Sequence, residues 1–286
     1  MKKYFSLVTF SHTIFAMPFA FIGFFLAINT TNASFSWLKL ALMVFCMVLA
    51  RNAAMAFNRY LDRDIDAKNP RTKARDIPSG KISASNALIF TIANCLLFIG
   101  STYFINSLCF FLSPIALIVV LGYSITKRFT ALCHLILGLG LSLAPIGAYL
   151  VVTGEFALLP ILFSLAVLCW VSGFDVIYAL QDEEFDREEK LHSIPSYLGK
   201  KNALMVSNLL HVLAAAFVIA PIFFTDLSWP YYIGLLVFIG MLVYQHQLVK
   251  PNDLSKVNFA FMTTNGIASV AFAVCFLFDI YYRSIL

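Results

Sequence analysis

The residues richest in chemistry in this 286-residue chain are carboxylates set whole helical turns apart. Asn58, Asp62 and Asp66 follow the spacing i, i+4, i+8, which puts all three on one helical face. Asp175, Asp182 and Asp186 follow i, i+7, i+11 and share a face in the same way. Carboxylates one turn apart repel each other. An oxygen-seeking divalent cation relieves that repulsion, and Mg²⁺ ordinarily takes one or two carboxylates together with substrate phosphates. Basic residues accompany both segments: Lys68, Arg71, Lys73 and Arg75 follow the first, and Lys127 and Arg128 stand between the two. Metal-requiring carboxylates beside ammonium and guanidinium groups describe a phosphate site, bridged by the metal and clamped by the cations. The spacing therefore predicts one magnesium-dependent diphosphate site built from Asn58, Asp62, Asp66, Asp182 and Asp186.

Two further ionisable residues, Arg51 and Asp175, lie inside apolar stretches, where a charged group marks a functional site by default. A structural Arg51–Asp175 pair is the plainer alternative. Glu183, Glu184, Glu188 and Glu189 read as a solvated loop face, and Lys200, Lys201, Lys250 and Lys256 as topology anchors that touch anionic lipid. Among the histidines, His12 and His192 invite attention, whereas His134, His211 and His246 read as interfacial or satisfied by neighbouring helices.

The elements that must position these groups are membrane spans. The chain is 60% hydrophobic and 12% charged, against roughly 25% charged in soluble proteins. Apolar stretches of spanning length fall at 8–28, 37–57, 86–105, 110–126, 131–152, 157–180, 202–222, 230–248 and 262–282. Their continuous apolarity, without alternation, predicts helices rather than a barrel. The first run reaches about Ile28, too long for a signal-peptide core. Lys and Arg cluster before span one and after spans two, four, six and eight, which places the N-terminus in the cytoplasm. The expectation is an all-α integral membrane protein in an inner, cytoplasmic membrane. It is a single domain over 1–286, with Asp-rich cytoplasmic loops at 58–85 and 181–201 capping the cavity. Asp182 lies 120 residues after Asp62, and spans five to eight replay the scheme of spans one to four. That repetition predicts two four-helix halves plus a ninth helix. The six cysteines stand singly, so neither a zinc site nor a disulfide framework is expected.

In order along the chain, the NxxxDxxxD of Asn58–Asp66, the YxxxKR of Tyr123–Arg128 and the DxxYAxxDxxxD of Asp175–Asp186 resemble the UbiA superfamily of intramembrane aromatic prenyltransferases. The resemblance implies a nine-helix bundle that binds two Mg²⁺ and the diphosphate of a polyprenyl donor. It gives the metals to Asn58, Asp62, Asp66, Asp182 and Asp186, and the diphosphate to Arg71, Arg75 and Lys127. It sets Asp175 and Tyr178 in the reaction chamber and turns Arg51 to the carboxylate of an aromatic acceptor. The implied partners are a polyprenyl diphosphate, an aromatic acid and the lipid bilayer; no nucleic acid is expected, and no protein partner is inferable. Two departures stand out: Asn58-Arg59 where the family often has Asn-Asp, and Arg75-Asp76 where it usually has Arg-Pro. These resemble a 4-hydroxybenzoate polyprenyltransferase-like branch, some members of which are associated with 1,4-dihydroxy-6-naphthoate and menaquinone. Respiratory quinone synthesis on a 4-hydroxybenzoate-type acid is the leading expectation and the naphthoate its alternative. A haem- or chlorophyll-directed relative is less expected. A transporter would spread its ionisable groups over the midplane of several helices, and the pattern of a CDP-alcohol phosphotransferase is missing.

Overall fold

The computed structural model describes residues 15–285. His12, Lys2, Lys3 and the start of the first expected span lie outside the described residues. The described chain is helical: α1 (Met17–Thr31), α2 (Trp37–Leu61), α3 (Ala84–Tyr103), α4 (Ser107–Thr126), α5 (Cys133–Thr153), α6 (Leu158–Ala179), α7 (Ile194–Ile219), α8 (Trp229–Leu248) and α9 (Asn265–Ile285). Eight helices among the described residues are long and apolar enough to cross a membrane, and α1 is a shorter apolar helix.

Polar caps start several of these helices where the apolar runs begin. Ser36, Ser83 and Asn106 each accept a bond from the backbone N–H three residues on, which satisfies an otherwise orphaned donor. Ser193 and Ser196 form a reciprocal capping box at the head of α7. Gly199 then takes φ 74°, so α7 is an entry turn followed by a long helix. At the end of α2 the helix runs past its apolar stretch and closes at Leu61, and Arg63–Lys68 forms a separate short helix. The second Asp-rich segment is broken in the same manner: α6 ends at Ala179, a 3₁₀ turn carries Asp182, and Glu183–Glu188 follows.

The helices α2, α3 and α4 pack as one group, and α5 to α9 follow one another in a second. α1 sits mainly against α5 and α9, and its Ala20 and Phe24 also pack on Met43 of α2, in the first group that the internal repetition predicts for it. Gly23 explains that placement: a Cβ there would stand 2.0 Å from the Pro145 carbonyl oxygen, so only glycine lets α1 approach α5 this closely. Phe19 of α1 then enters an aromatic core with Trp170, Phe238 and Phe272, all fully buried. Trp170 donates through Nε1 to Asn265 Oδ1 at 2.8 Å, which fastens α6 to α9 beside the π-turn Ala260–Thr264. The six cysteines are free.

Candidate active site

The eleven residues to which the UbiA resemblance gives a metal, diphosphate, chamber or acceptor role all line one cavity of about 920 Å³. Its walls are mostly aliphatic and aromatic, from Met43, Leu112, Val119, Leu141, Phe174 and Phe261 among others. The charged groups gather at one end, where the broken ends of α2 and α6 meet the C-terminus of α4 and the segment that follows Lys68.

Three of these carboxylates, Asp62, Asp66 and Asp182, each pair with a cation. Asp62, 1% exposed, accepts from Asn58 Nδ2 at 3.0 Å, Lys127 Nζ at 2.6 Å and Arg128 Nη2 at 3.0 Å. Arg128 also donates to the Leu61 carbonyl at 3.0 Å, so it caps the end of α2 while pairing with Asp62. Asp66 takes Arg75 Nη1 on both carboxylate oxygens, at 2.7 and 2.9 Å. Asp182 receives Arg71 in a forked pair, Nε to Oδ1 at 2.9 Å and Nη2 to Oδ2, with Asn69 Nδ2 at 3.1 Å. Arg71 reaches the Tyr178 hydroxyl at 2.9 Å with its remaining Nη1. Burial works against the Arg71 charge, but its hydrogen bond to Asp182 and that carboxylate's charge prevail and hold its pKa above the usual guanidinium value.

Deeper in the cavity, Asp175 Oδ2 meets His134 Nδ1 at 2.6 Å. The Ile194 backbone N–H points at His134 Nε2 at 3.3 Å, so Nε2 carries the lone pair and Nδ1–H donates to Asp175.

The donor set suits a hard divalent cation, since Asn58, Asp62, Asp66, Asp182 and Asp186 offer only oxygen and amide ligands. Among the described residues no three carboxylate, imidazole or thiol groups converge on one point. A site that takes one or two carboxylates and completes its shell with phosphate and water has no need of such a triplet.

A model of the UbiA prenyltransferase family matches residues 16–267. The chain belongs to that family. It is 30% identical over 200 residues to the 4-hydroxybenzoate octaprenyltransferase of Shewanella sediminis, a match covering 70% of each chain. With the enzyme of the same name from Alcanivorax borkumensis it shares 33% over 190 residues, 66% of this chain and 65% of that one. Among solved structures, a UbiA homologue from Aeropyrum pernix superposes with a TM-score of 0.80 at 30% identity, covering 96% of this chain and 98% of the other. A UbiA homologue from Archaeoglobus fulgidus, solved with DMAPP and Mg²⁺, shares the fold with a TM-score of 0.76 at 22% identity, over 99% of this chain and 100% of that one. The chain is thus a membrane-bound prenyltransferase.

Against the UbiA pattern several sequence-based expectations need correction. The alternative Arg51–Asp175 ion pair is absent among the described residues: Asp175 binds His134, which a neighbouring helix thereby satisfies as expected. Nothing in the spacing marks His134, because it lies 41 residues from Asp175 on another helix. Glu183 is not a solvated loop residue: it is 7% exposed, paired with Arg187, and lies 3.6 Å from the Lys200 ammonium. Lys200 therefore serves the fold of this loop beyond any contact with lipid. Lys73 is exposed and does not line the cavity, and Lys68 instead ties the two polar loops together through Glu189 at 2.6 Å. His192 is exposed too, and its backbone N–H donates to the Lys127 carbonyl at 2.7 Å. His211 and His246 bond each other at 2.9 Å, as neighbouring helices were expected to satisfy them.

Proposed function

We propose that this prenyltransferase moves a polyprenyl group from a polyprenyl diphosphate to an aromatic acid of the 4-hydroxybenzoate type, with Mg²⁺, in respiratory quinone synthesis. One observation carries the reading: Asp62, Asp66 and Asp182, each paired with Lys or Arg, sit with Asp186 at the charged end of an otherwise apolar cavity. That is the charge distribution of a diphosphate joined to a hydrocarbon tail. The names of the relatives support the acceptor. In this reading Asn58, Asp62, Asp66, Asp182 and Asp186 hold two Mg²⁺ ions, and Arg71, Arg75 and Lys127 grip the diphosphate. The chain spans an inner, cytoplasmic membrane nine times, with its N-terminus and the polar loops 58–85 and 181–201 on the cytoplasmic side. The basic residues around those loops support that orientation.

Bound magnesium would supply charge neutralisation for the departing diphosphate. Arg71, Arg75 and Lys127 give up their carboxylates to phosphate oxygens and stabilise the negative charge that develops there. The allylic carbon–oxygen bond breaks with its electron pair leaving on the diphosphate. The cationic carbon then faces Phe174, Phe261 and Tyr178; the Tyr178 and Phe261 rings lie 4.3 Å apart and offer π faces to it. Arg51 orients the acceptor through its carboxylate. A ring π pair forms the new carbon–carbon bond, and the proton on that ring carbon passes to Asp175.

Membranes carrying the chain are expected to transfer labelled polyprenyl groups to 4-hydroxybenzoate with Mg²⁺ and to stop when the metal is chelated. Undiminished transfer after chelation rules out the metal. The same membranes offered 1,4-dihydroxy-6-naphthoate in parallel identify the acceptor, and preference for the naphthoate removes the 4-hydroxybenzoate assignment. His134→Ala takes one donor from Asp175, so kcat is expected to fall about tenfold with little change in either KM.

A further inference from the structure

Four buried side-chain polar atoms among the described residues lack a hydrogen-bond partner, and only Arg59 Nη1 belongs to a charged group. Arg59 lines the cavity beside Asn58. The other cations at that level are engaged: Arg75 on Asp66, and Lys127 and Arg128 on Asp62. Asp66 lies within electrostatic reach of Arg59, but Arg75 occupies both of its oxygens and itself repels Arg59. A guanidinium does not release its proton in a protein, and a charged donor kept from water without an acceptor is unfavourable. An oxyanion in the cavity would satisfy it.

The proposed reaction brings two oxyanions, a diphosphate and a carboxylate, and depth separates them. Arg51 lies two turns further along α2, about 12 Å away along the axis. Arg59 stands at the level of Asn58 and Asp62, among the cations of the mouth. We propose that Arg59 Nη1 donates to a phosphate oxygen of the prenyl diphosphate, as a further cationic donor beside Arg71, Arg75 and Lys127. The inference rests on the proposed function.

The test uses the full chain in detergent, with Mg²⁺ present, and compares Arg59→Gln and Arg59→Lys with the unaltered protein. Three quantities are read: KM for prenyl diphosphate, KM for the aromatic acid, and inhibition by inorganic pyrophosphate. Arg59→Gln should raise the donor KM and the pyrophosphate inhibition constant about 10- to 100-fold and leave the acceptor KM unchanged, the size expected for a lost charge-assisted hydrogen bond. Arg59→Lys keeps the charge but loses the fork, so both constants should rise less, by several-fold. It carries the test if the glutamine variant does not fold. Unchanged donor and pyrophosphate constants in a variant that still turns over overturn the proposal, as does a shift confined to the acceptor KM. Failure of the unaltered protein to transfer prenyl groups or to respond to pyrophosphate overturns the proposed function instead.

Discussion

Asp62→Asn is expected to lower prenyl transfer by about a hundredfold or more, the largest activity effect anticipated for a single site residue. The carboxylate is almost wholly buried and receives three donors, two of them cations. An amide has nearly the same shape but carries no charge, so Lys127 and Arg128 would face each other without a counter-ion. Removing one partner of such a buried pair costs about 3 kcal/mol, which adds a fall in thermal stability to the loss of metal binding. Asp182→Asn separates the two effects. Its side chain is 18% exposed and pairs with one guanidinium, so it should lose comparable activity with a smaller stability penalty. Transfer rates and thermal unfolding of both variants, at saturating Mg²⁺, check this. Near-normal turnover in Asp62→Asn would remove that residue from the site.

A stability effect of comparable size, without a direct bearing on the chemistry, is expected at Gly23, remote from the charged end of the cavity. A methyl group added there meets the backbone of Pro145, with the carbonyl oxygen 2.0 Å and the carbonyl carbon 2.8 Å away. Backbone cannot rotate aside as a side chain can, so α1 and α5 must separate and Phe19 must leave its place against Trp170. In lipid, close packing of this kind carries much of the helix association, and the cost should reach about 3 kcal/mol, the upper end for overpacking. Gly122→Ala is the control. Nothing lies within 4 Å of its added methyl, and replacing glycine by alanine inside a helix gains about 1 kcal/mol. Thermal unfolding of the two variants in detergent should therefore move in opposite directions. Equal midpoints would contradict the α1–α5 contact.

The carboxylate spacing survived the change from ideal helix to real structure for a simple reason. Residues i, i+4 and i+8 were placed on one face of a continuous helix, yet α2 ends at Leu61 and Asp66 belongs to the next short helix. The break is small, and Asn58, Asp62 and Asp66 still line one cavity. The first span illustrates the opposite case. Its apolarity was plain, but its main neighbour was not: repetition pointed to the first group of helices, and the missing Cβ of Gly23 brings it closest to α5 as well.

What the amino-acid sequence determined by itself was everything local or periodic: apolar runs of spanning length, caps at their ends, carboxylates at helical intervals, and motifs in the order of the UbiA family. Hydropathy and turn spacing are properties of a few consecutive residues, so they are written along the chain. Only the tertiary structure decided which charge answers which. Arg128 meets Asp62 across 66 positions, His134 meets Asp175 across 41, and Arg71 meets Asp182 across 111. Those pairings depend on how separate helices lean together in a medium of low dielectric, where a buried charge takes the partner within reach. The same geometry left Arg59 Nη1 without one, and no reading of spacing could have shown that.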